Sequence, residues 1–202
     1  DHYHYWEESA NGYLQSFQQT ELVRGHEWDA WRGPVPGDEP VPAWVERIER
    51  WRPGAGRRYY ANVRDFAGEG DFFPARVMHA AATRLQDLRA PFFLHVESFD
   101  VHEPFHVPEP YRSQFGVAAD DDRYTVWPPY QDPDALAAFM AQTTPEELAF
   151  VRARYLAKVA MVDRWLGSLF DVLDDRGLWQ ETAVVFTTDH GHDLGTRGVF
   201  GK

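Results

Sequence analysis

Residues 187–192 place a carboxylate, Asp189, beside an imidazole, His190, directly after an apolar run at residues 183–186. Such a pair offers a divalent cation one anionic oxygen and one nitrogen. Gly191 lets the backbone turn sharply, so that both side chains can face the same point. We therefore predict that Asp189 and His190 bind a metal as two of its ligands, with the others supplied elsewhere. The alternative is that Asp189 caps the next turn and His190 is a hydrogen-bonded polar residue.

His190 and His192 also form a His-x-His pair. On a β-strand this spacing suits zinc. The intervening Gly191 places the pair in a turn instead, so we favour the interpretation in which His192 is not a ligand.

A second candidate segment, residues 99–104, follows another apolar run at residues 92–96. His102 in this segment could donate a proton to a leaving group or hydrogen-bond an anion. The alternative is a loop histidine bonded to a neighbouring carboxylate such as Asp100 or Glu103.

Lys202 follows a turn rich in glycine, with Gly195, Gly198 and Gly201. A lysine there could reach an anionic group as a point charge. The alternative is a solvated lysine that contacts nothing in particular.

The elements that position these residues are predicted from apolar periodicity. We predict buried strands at residues 92–96 and 183–186, and helices over residues 38–50, 71–89 and about 144–175. This order indicates an α/β domain, in which ligands collect at the carboxyl ends of the strands. Both histidine segments should then open onto the same edge of the sheet. Residues 112–144, polar and proline-containing, are predicted to be an excursion over the surface.

The amino-acid composition argues against several classes of function. The net charge is −12, from 20 basic and 32 acidic residues, and the sequence shows no basic patch. This argues against a nucleic-acid partner, whereas an anionic substrate remains compatible if a bound cation reverses the field locally. The absence of cysteine excludes disulfides and thiolate metal sites within these residues. No apolar run approaches the length of a membrane span. The compartment, cytoplasmic or periplasmic and secreted, stays open.

Taken together and in order, these motifs resemble the sulfatase family. The resemblance is most specific over residues 91–111, which contain PFFL, FDVHEPF and PEPY, and over residues 182–202, which contain TAVVFTTDHG and GVFGK. Residues 1–5 and 24–27, DHYHY and RGHE, also look like segments of bacterial members.

The resemblance implies an alkaline-phosphatase-like α/β fold, with a central, mostly parallel sheet flanked by helices. It implies hydrolysis of small-molecule or glycan sulfate esters by a formylglycine, aided by Ca²⁺, with Mn²⁺ or Mg²⁺ as alternatives. A formylglycine-generating enzyme would be the maturation partner. By position, Asp189 and His190 match the family's metal ligands. His102 matches the histidine that contacts the sulfate and helps the leaving group, and Lys202 matches a lysine on the sulfate.

Two departures from the family pattern matter. The nucleophile motif, Cys or Ser with a Pro two residues on and then an Arg, is absent from these residues, as are the two consecutive Asp ligands with which the family's catalytic domain begins. The resemblance therefore implies that residues 1–202 are an internal fragment of a single catalytic domain, inactive alone, without the nucleophile segment or the carboxyl-terminal subdomain. Val101 stands where Pro is usual and Arg197 where His is common, and neither changes a predicted ligand.

Two other functions remain open. A phosphodiesterase or phosphonate monoester hydrolase of the same superfamily would share this scaffold, because sulfate and phosphate esters have similar tetrahedral geometry. A non-catalytic relative could bind an anionic glycan. Aromatic residues at positions 2–6 and 127–130 could line a sugar-binding wall, but we favour a core position for them.

Overall fold

The structure, a computed structural model, describes residues 14–116, 123–129 and 132–202. The described helices are α1 (Ala43–Trp51), α2 (Ala55–Val63), α3 (Phe73–Asp87), α4 (Tyr111–Gln114), α5 (Pro133–Gln142) and α6 (Pro145–Asp175), with single 3-10 turns at Glu69–Asp71 and Leu178–Gln180. Strands β1 (Asp193–Leu194) and β2 (Phe200–Gly201) pair antiparallel, with Asp193 opposite Gly201.

Helix α6 is 31 residues long and confirms the helix predicted over residues 144–175. Its start follows from local chemistry, since the Thr144 hydroxyl accepts the Glu147 N–H at 3.1 Å and Pro145 occupies the first helical position. Gly177, with φ 63°, follows its carboxyl end. Helix α3 packs along α6. Among the helices that the structure describes, none is both long and apolar enough to cross a membrane.

The other two predicted helices form with shifted ends. Helix α3 begins two residues later than predicted, after the 3-10 turn, and α1 begins only at Ala43, beyond the proline-rich loop. The prediction missed α2, and it missed α4 and α5 inside the supposed surface excursion. For α5 a signal was present, because Asp132 before Pro133 accepts the N–H groups of Asp134 and Ala135 at 2.9 and 3.0 Å.

The main core lies among α1, α2, the start of α3 and the segment after residue 104. Its largest fully buried side chains include Tyr59, Phe73, Phe105 and Trp127. The core interpretation is thereby confirmed for Trp127, whereas residues 2–6 and Tyr130 lie outside the described residues. A second cluster between α3 and α6 contains Met78, Leu85, Leu169 and Leu173.

The prediction of two buried strands was wrong for the described residues. Residues 92–96 form neither a helix nor a strand. Phe92 and Leu94 pack on the second cluster, but Phe93 is 78% exposed. Residues 183–186 also lack regular secondary structure, and Val185 is 85% exposed. An apolar run predicts a preference for burial, but only neighbouring strands from elsewhere in the sequence supply the hydrogen bonds of a sheet. The described residues contain a two-stranded antiparallel sheet and do not confirm the parallel one.

Helices α1 and α2 approach closely at Gly56, where a Cβ atom would lie 2.7 Å from the Val45 carbonyl oxygen. We expect Gly56→Ala to destabilise the protein by about 1–3 kcal/mol, because the backbone of α1 must move to make room. Gly167→Ala is the matched control, since a Cβ there meets nothing within 4 Å and the residue lies inside α6. It should stabilise the protein by about 0.5–1 kcal/mol. Urea unfolding measures both, and shifts of the same sign would contradict this account of the α1–α2 contact.

Candidate active site around His102

Two predicted site residues, His102 and Lys202, meet although they are 100 residues apart in sequence. The Lys202 ammonium lies within hydrogen-bonding distance of His102 Nε2. Lys202 is delivered by the β1–β2 hairpin, whose turn closes through a hydrogen bond from the Gly195 N–H to the Val199 carbonyl at 2.8 Å. Gly195 has φ 80°, a conformation that glycine adopts without strain. The fold therefore places a cation and an imidazole at one point.

The Nδ1 edge of the His102 ring points at oxygen atoms. Nδ1 lies 3.0 Å from a carboxylate oxygen of Glu27, 3.0 Å from the carbonyl oxygen of Glu103 and 3.4 Å from its carboxylate. Because all three are acceptors, Nδ1 must carry a hydrogen. The ring is thus held at Nδ1, and Nε2 is the nitrogen that faces Lys202.

The electrostatics of this cluster favour a charged imidazole. Burial acts to lower the pKa of His102, but the hydrogen bond to Glu27 and the charge of Glu103 outweigh it and raise the pKa above its usual value. Burial likewise acts to raise the pKa of Glu27, but His102 holds it below its usual value. Glu27 and His102 therefore form a buried ion pair, and His102 keeps its proton to a higher pH than a free histidine does.

The segment that carries His102 is fastened by a buried network on Asp100. One Asp100 oxygen lies 3.0 Å from His26 Nε2 and also bonds the Lys158 ammonium, which donates a second hydrogen bond to the His102 carbonyl at 2.8 Å. All three side chains are buried. Burial acts to raise the pKa of Asp100, but Lys158 and His26 lower it to about 2. Helix α6 thereby anchors the loop through an ionised aspartate.

The predicted metal ligands Asp189 and His190 lie together on an exposed stretch. The Asp189 carboxylate is 3.2 Å from His190 Nε2, and its other oxygen accepts the His190 N–H at 2.8 Å. His190 Nδ1 lies 2.9 Å from the Gly191 carbonyl, so it donates there and leaves the Nε2 lone pair available. Metal-binding histidines commonly show this arrangement. Burial acts to raise the pKa of Asp189, but the hydrogen bond from the His190 N–H and the positive charge of Lys202 keep it below its usual value.

These two residues fit a divalent cation as part of its coordination sphere. Ligands at right angles around an ion at Ca²⁺–oxygen distances lie about 3.3 Å apart, close to the separation seen here. The carboxylate suits Ca²⁺, Mg²⁺ or Mn²⁺, whereas the imidazole suits transition metals better. His192 does not share this exposed position, since its largely buried ring lies 3.6 Å from the Glu103 carboxylate.

A second group of potential ligands was not predicted. Ligand atoms of Glu27, His102 and Glu103 lie within 4.8 Å of one another, and both Glu103 carboxylate oxygens are buried without a hydrogen bond. The group has the residue types of a metal site. We interpret it as an imidazole whose Nδ1–H is held between two carboxylates, because the distance from Nδ1 to Glu27 is that of a hydrogen bond.

Sequence reasoning missed Glu27, His26 and Lys158. For Lys158 a signal existed, since it lies on the buried stripe of α6, where a lysine needs an anionic partner. The alternative proposed for His102 was partly right, because Glu103 does contact it. Asp100 instead binds His26 and Lys158. No local sequence pattern predicts the contact between residues 27 and 102.

Comparison with known proteins gives a consistent result. The family model described as Sulfatase matches residues 26–202. The chain is 27% identical over 179 residues to a multifunctional alkaline phosphatase superfamily protein, PehA, of Trinickia caryophylli, covering 79% of this chain and 34% of that protein. It is 27% identical to human iduronate 2-sulfatase over 59% of this chain and 25% of that protein. It is 24% identical to the choline-sulfatase of Rhizobium meliloti over 78% of this chain and 34% of that protein.

The chain thus spans 25–34% of the length of these curated relatives. No solved structure matches it significantly.

Proposed function

Because this chain belongs to the sulfatase family, whose members have the alkaline-phosphatase-like α/β fold, we propose that the full-length protein hydrolyses sulfate esters. The observation that carries this proposal is the contact between His102 Nε2 and the Lys202 ammonium, backed by two buried carboxylates. Two hydrogen-bond donors that meet at one point suit a tetrahedral anion. The relatives that are named as sulfatases support the same reaction class.

In the proposed reaction Lys202 and His102 bind the oxygens of the sulfate group. The protonated imidazole gives the Nε2 proton to the leaving oxygen as the ester bond breaks. Lys202 stabilises the negative charge that develops on the transferred group. The raised pKa of His102 favours this role, because the imidazole keeps its proton to a higher pH than a free histidine does.

We further propose that Asp189 and His190 hold the cation, Ca²⁺ with Mn²⁺ or Mg²⁺ as alternatives. Their separation and exposure support this assignment. A bound cation would supply Lewis-acid stabilisation of the transferred group. We propose that the nucleophile is a formylglycine from outside residues 1–202, made by a formylglycine-generating enzyme. In this proposal the chain is the middle of a single catalytic domain, consistent with the share of its relatives that it spans.

The substrate is proposed to be a small-molecule or glycan sulfate ester. Hydrolysis of phosphodiesters or phosphonate monoesters is the second candidate. It is favoured by the similarity to an alkaline phosphatase superfamily protein that is described as multifunctional, which extends over 79% of this chain. A site made of two cationic donors and a metal would accept either tetrahedral anion.

The test uses the full-length protein, matured by a formylglycine-generating enzyme, on 4-nitrophenyl sulfate and on the matching phosphonate. Turnover that prefers the sulfate and falls when calcium is chelated is expected. Turnover that prefers the phosphonate would move the protein to the second candidate. Activity on neither substrate, in a protein shown to carry the formylglycine, would contradict the enzyme proposal.

The metal assignment has its own expected result. Asp189→Ala should raise the calcium concentration for half-maximal activity by at least about 100-fold, since it removes a direct ligand. Calcium binding measured by calorimetry should weaken in parallel. The matched control is Glu181→Gln, which alters another exposed carboxylate outside the site. Equal calcium affinity in Asp189→Ala and the control would remove Asp189 from the metal site.

A further inference from the structure

The Glu27 carboxylate contacts Nδ1 of His102, the ring nitrogen on the side away from Lys202. A carboxylate oxygen lies 3.0 Å from Nδ1, and both side chains are buried, with exposed fractions of 6% and 9%. The neighbouring Glu103 carboxylate is 3.4 Å from the same nitrogen, so Glu27 makes the shorter contact. Neither the sequence motifs nor the proposed reaction assigned a role to Glu27.

The backbone at Glu27 is in an unusual conformation. It is the non-glycine residue with positive φ, 47°, among the residues that the structure describes. Residues other than glycine reach this region at an energetic cost, and such strain persists where the surroundings over-determine the conformation.

The turn around Glu27 is held by a dense set of hydrogen bonds. The Asp29 carboxylate accepts from the Arg24 guanidinium at 2.8 and 2.5 Å and from the Gly25 N–H at 2.7 Å. From helix α2, the Asn62 side-chain amide donates to the carbonyls of Gly25 and Asp29 at 3.0 and 2.8 Å. Residues 24–29 are thus fixed before any substrate binds, and the Glu27 carboxylate is aimed at His102.

We infer that Glu27 is a positioning residue, whose carboxylate fixes the His102 ring with Nδ1 inward and Nε2 toward Lys202 and the substrate. This inference rests on the proposed function for its catalytic consequence, but the arrangement of the ring can be measured without activity. A carboxylate that accepts the Nδ1–H of a catalytic imidazole has three effects. It selects the tautomer, holds the ring in one orientation and stabilises the imidazolium.

The Glu103 carboxylate alone does not replace this function. It belongs to the residue next to His102 and moves with the same loop, whereas Glu27 lies on a separately anchored turn. A carboxylate on a turn that is also anchored to α2 can fix the ring relative to the rest of the fold. Removing Glu27 should therefore free the ring even though Glu103 remains.

The first arm of the test is nuclear magnetic resonance of histidine-labelled full-length protein. In the wild type, neutral His102 should carry its proton on Nδ1. In Glu27→Gln the His102 titration should move to lower pH, because the anionic partner is lost. Glu109→Gln, which changes an exposed glutamate bonded to Ser113 and Arg112, is the control and should leave the titration unchanged.

The second arm is the pH profile of aryl sulfate hydrolysis. Glu27→Ala should lower kcat by about 10- to 100-fold with little change in KM, since substrate contacts remain. The alkaline limb should move to lower pH in both Glu27 variants. Glu27→Gln, which can still accept a hydrogen bond, should keep more of kcat than Glu27→Ala.

The two arms separate the possible failures. A His102 titration that moves as expected in a protein without sulfatase activity would support the positioning role and contradict the proposed function. An unchanged titration in Glu27→Gln would overturn the inference. So would a wild-type His102 with a proton on Nε2 only, a result that needs no variant to fold. Loss of the Nδ1 proton on adding Ca²⁺ or Mn²⁺ would also overturn it, by making Glu27 and His102 metal ligands.

Discussion

His102→Ala in the full-length protein should lower kcat for an aryl sulfate by about 100- to 10,000-fold, the range expected for loss of a general acid. Lys202→Ala should lower it by about 100- to 1,000-fold, as removal of a donor to developing charge does. The reason is the contact of the two groups at one point, which makes both available to the same sulfate group. Because they touch, the double variant should lose less than the product of the two single effects.

The controls separate chemistry from folding. His79→Ala changes an exposed histidine on α3 and should leave kcat unaltered. Lys202→Arg keeps the charge and should retain more activity than Lys202→Ala. Steady-state kinetics on 4-nitrophenyl sulfate, with circular dichroism as a check of folding, measures the four single variants and the double variant. If His102→Ala kept wild-type kcat, the general acid of the reaction would have to be another group.

Lys158→Met should destabilise the protein by about 3–5 kcal/mol, the cost of leaving a buried charge without its partner. Lys158 Nζ bonds the Asp100 carboxylate and the His102 carbonyl, and both acidic and basic side chains are buried. The variant would leave Asp100 with His26 alone. Since the Lys158 bond also fastens the His102 loop, activity should fall together with stability. Urea unfolding near neutral pH gives the free energy of unfolding.

The stability that Lys158 contributes through Asp100 should depend on pH. The folded-state pKa of Asp100 is about 2, below its usual value, so its contribution to stability is present above about pH 4 and is lost as the pH falls toward 2. In Lys158→Met the lysine no longer lowers that pKa. The stability difference from the wild type should therefore shrink on acidification.

Two variants test the charge argument for Lys158. Lys158→Met/Asp100→Asn removes both charges and should be more stable than Lys158→Met alone. Arg164→Met changes an exposed residue of the same helix and should alter stability by less than about 0.5 kcal/mol. If Lys158→Met unfolded at the same urea concentration as Arg164→Met, the network on Asp100 would carry no net stability.

The sequence determined those features that arise from short-range interactions. Helix α6 was predicted from end to end, because its N-cap at Thr144, the proline after it and the glycine beyond its carboxyl end act within a few residues. The sequence determines its buried face less well, since Val159 is 39% exposed although Arg154 and Lys158 are buried. Side-chain burial on a helix depends on what packs against it, which periodicity alone does not reveal.

The candidate site divides in the same way. His102, Lys202, Asp189 and His190 could be selected from the sequence, because their motifs are local and resemble those of a known family. Glu27, Lys158 and His26 could not, because each acts on a residue 56 to 75 positions away, as the contacts with Asp100, His102 and its carbonyl show. The tertiary structure decided these partners, and it decided that residues 92–96 and 183–186 have no strand partner among the described residues. Local chemistry sets the preference of a segment, whereas pairing, burial and the charge of its neighbours are set by the elements that the chain brings back to it.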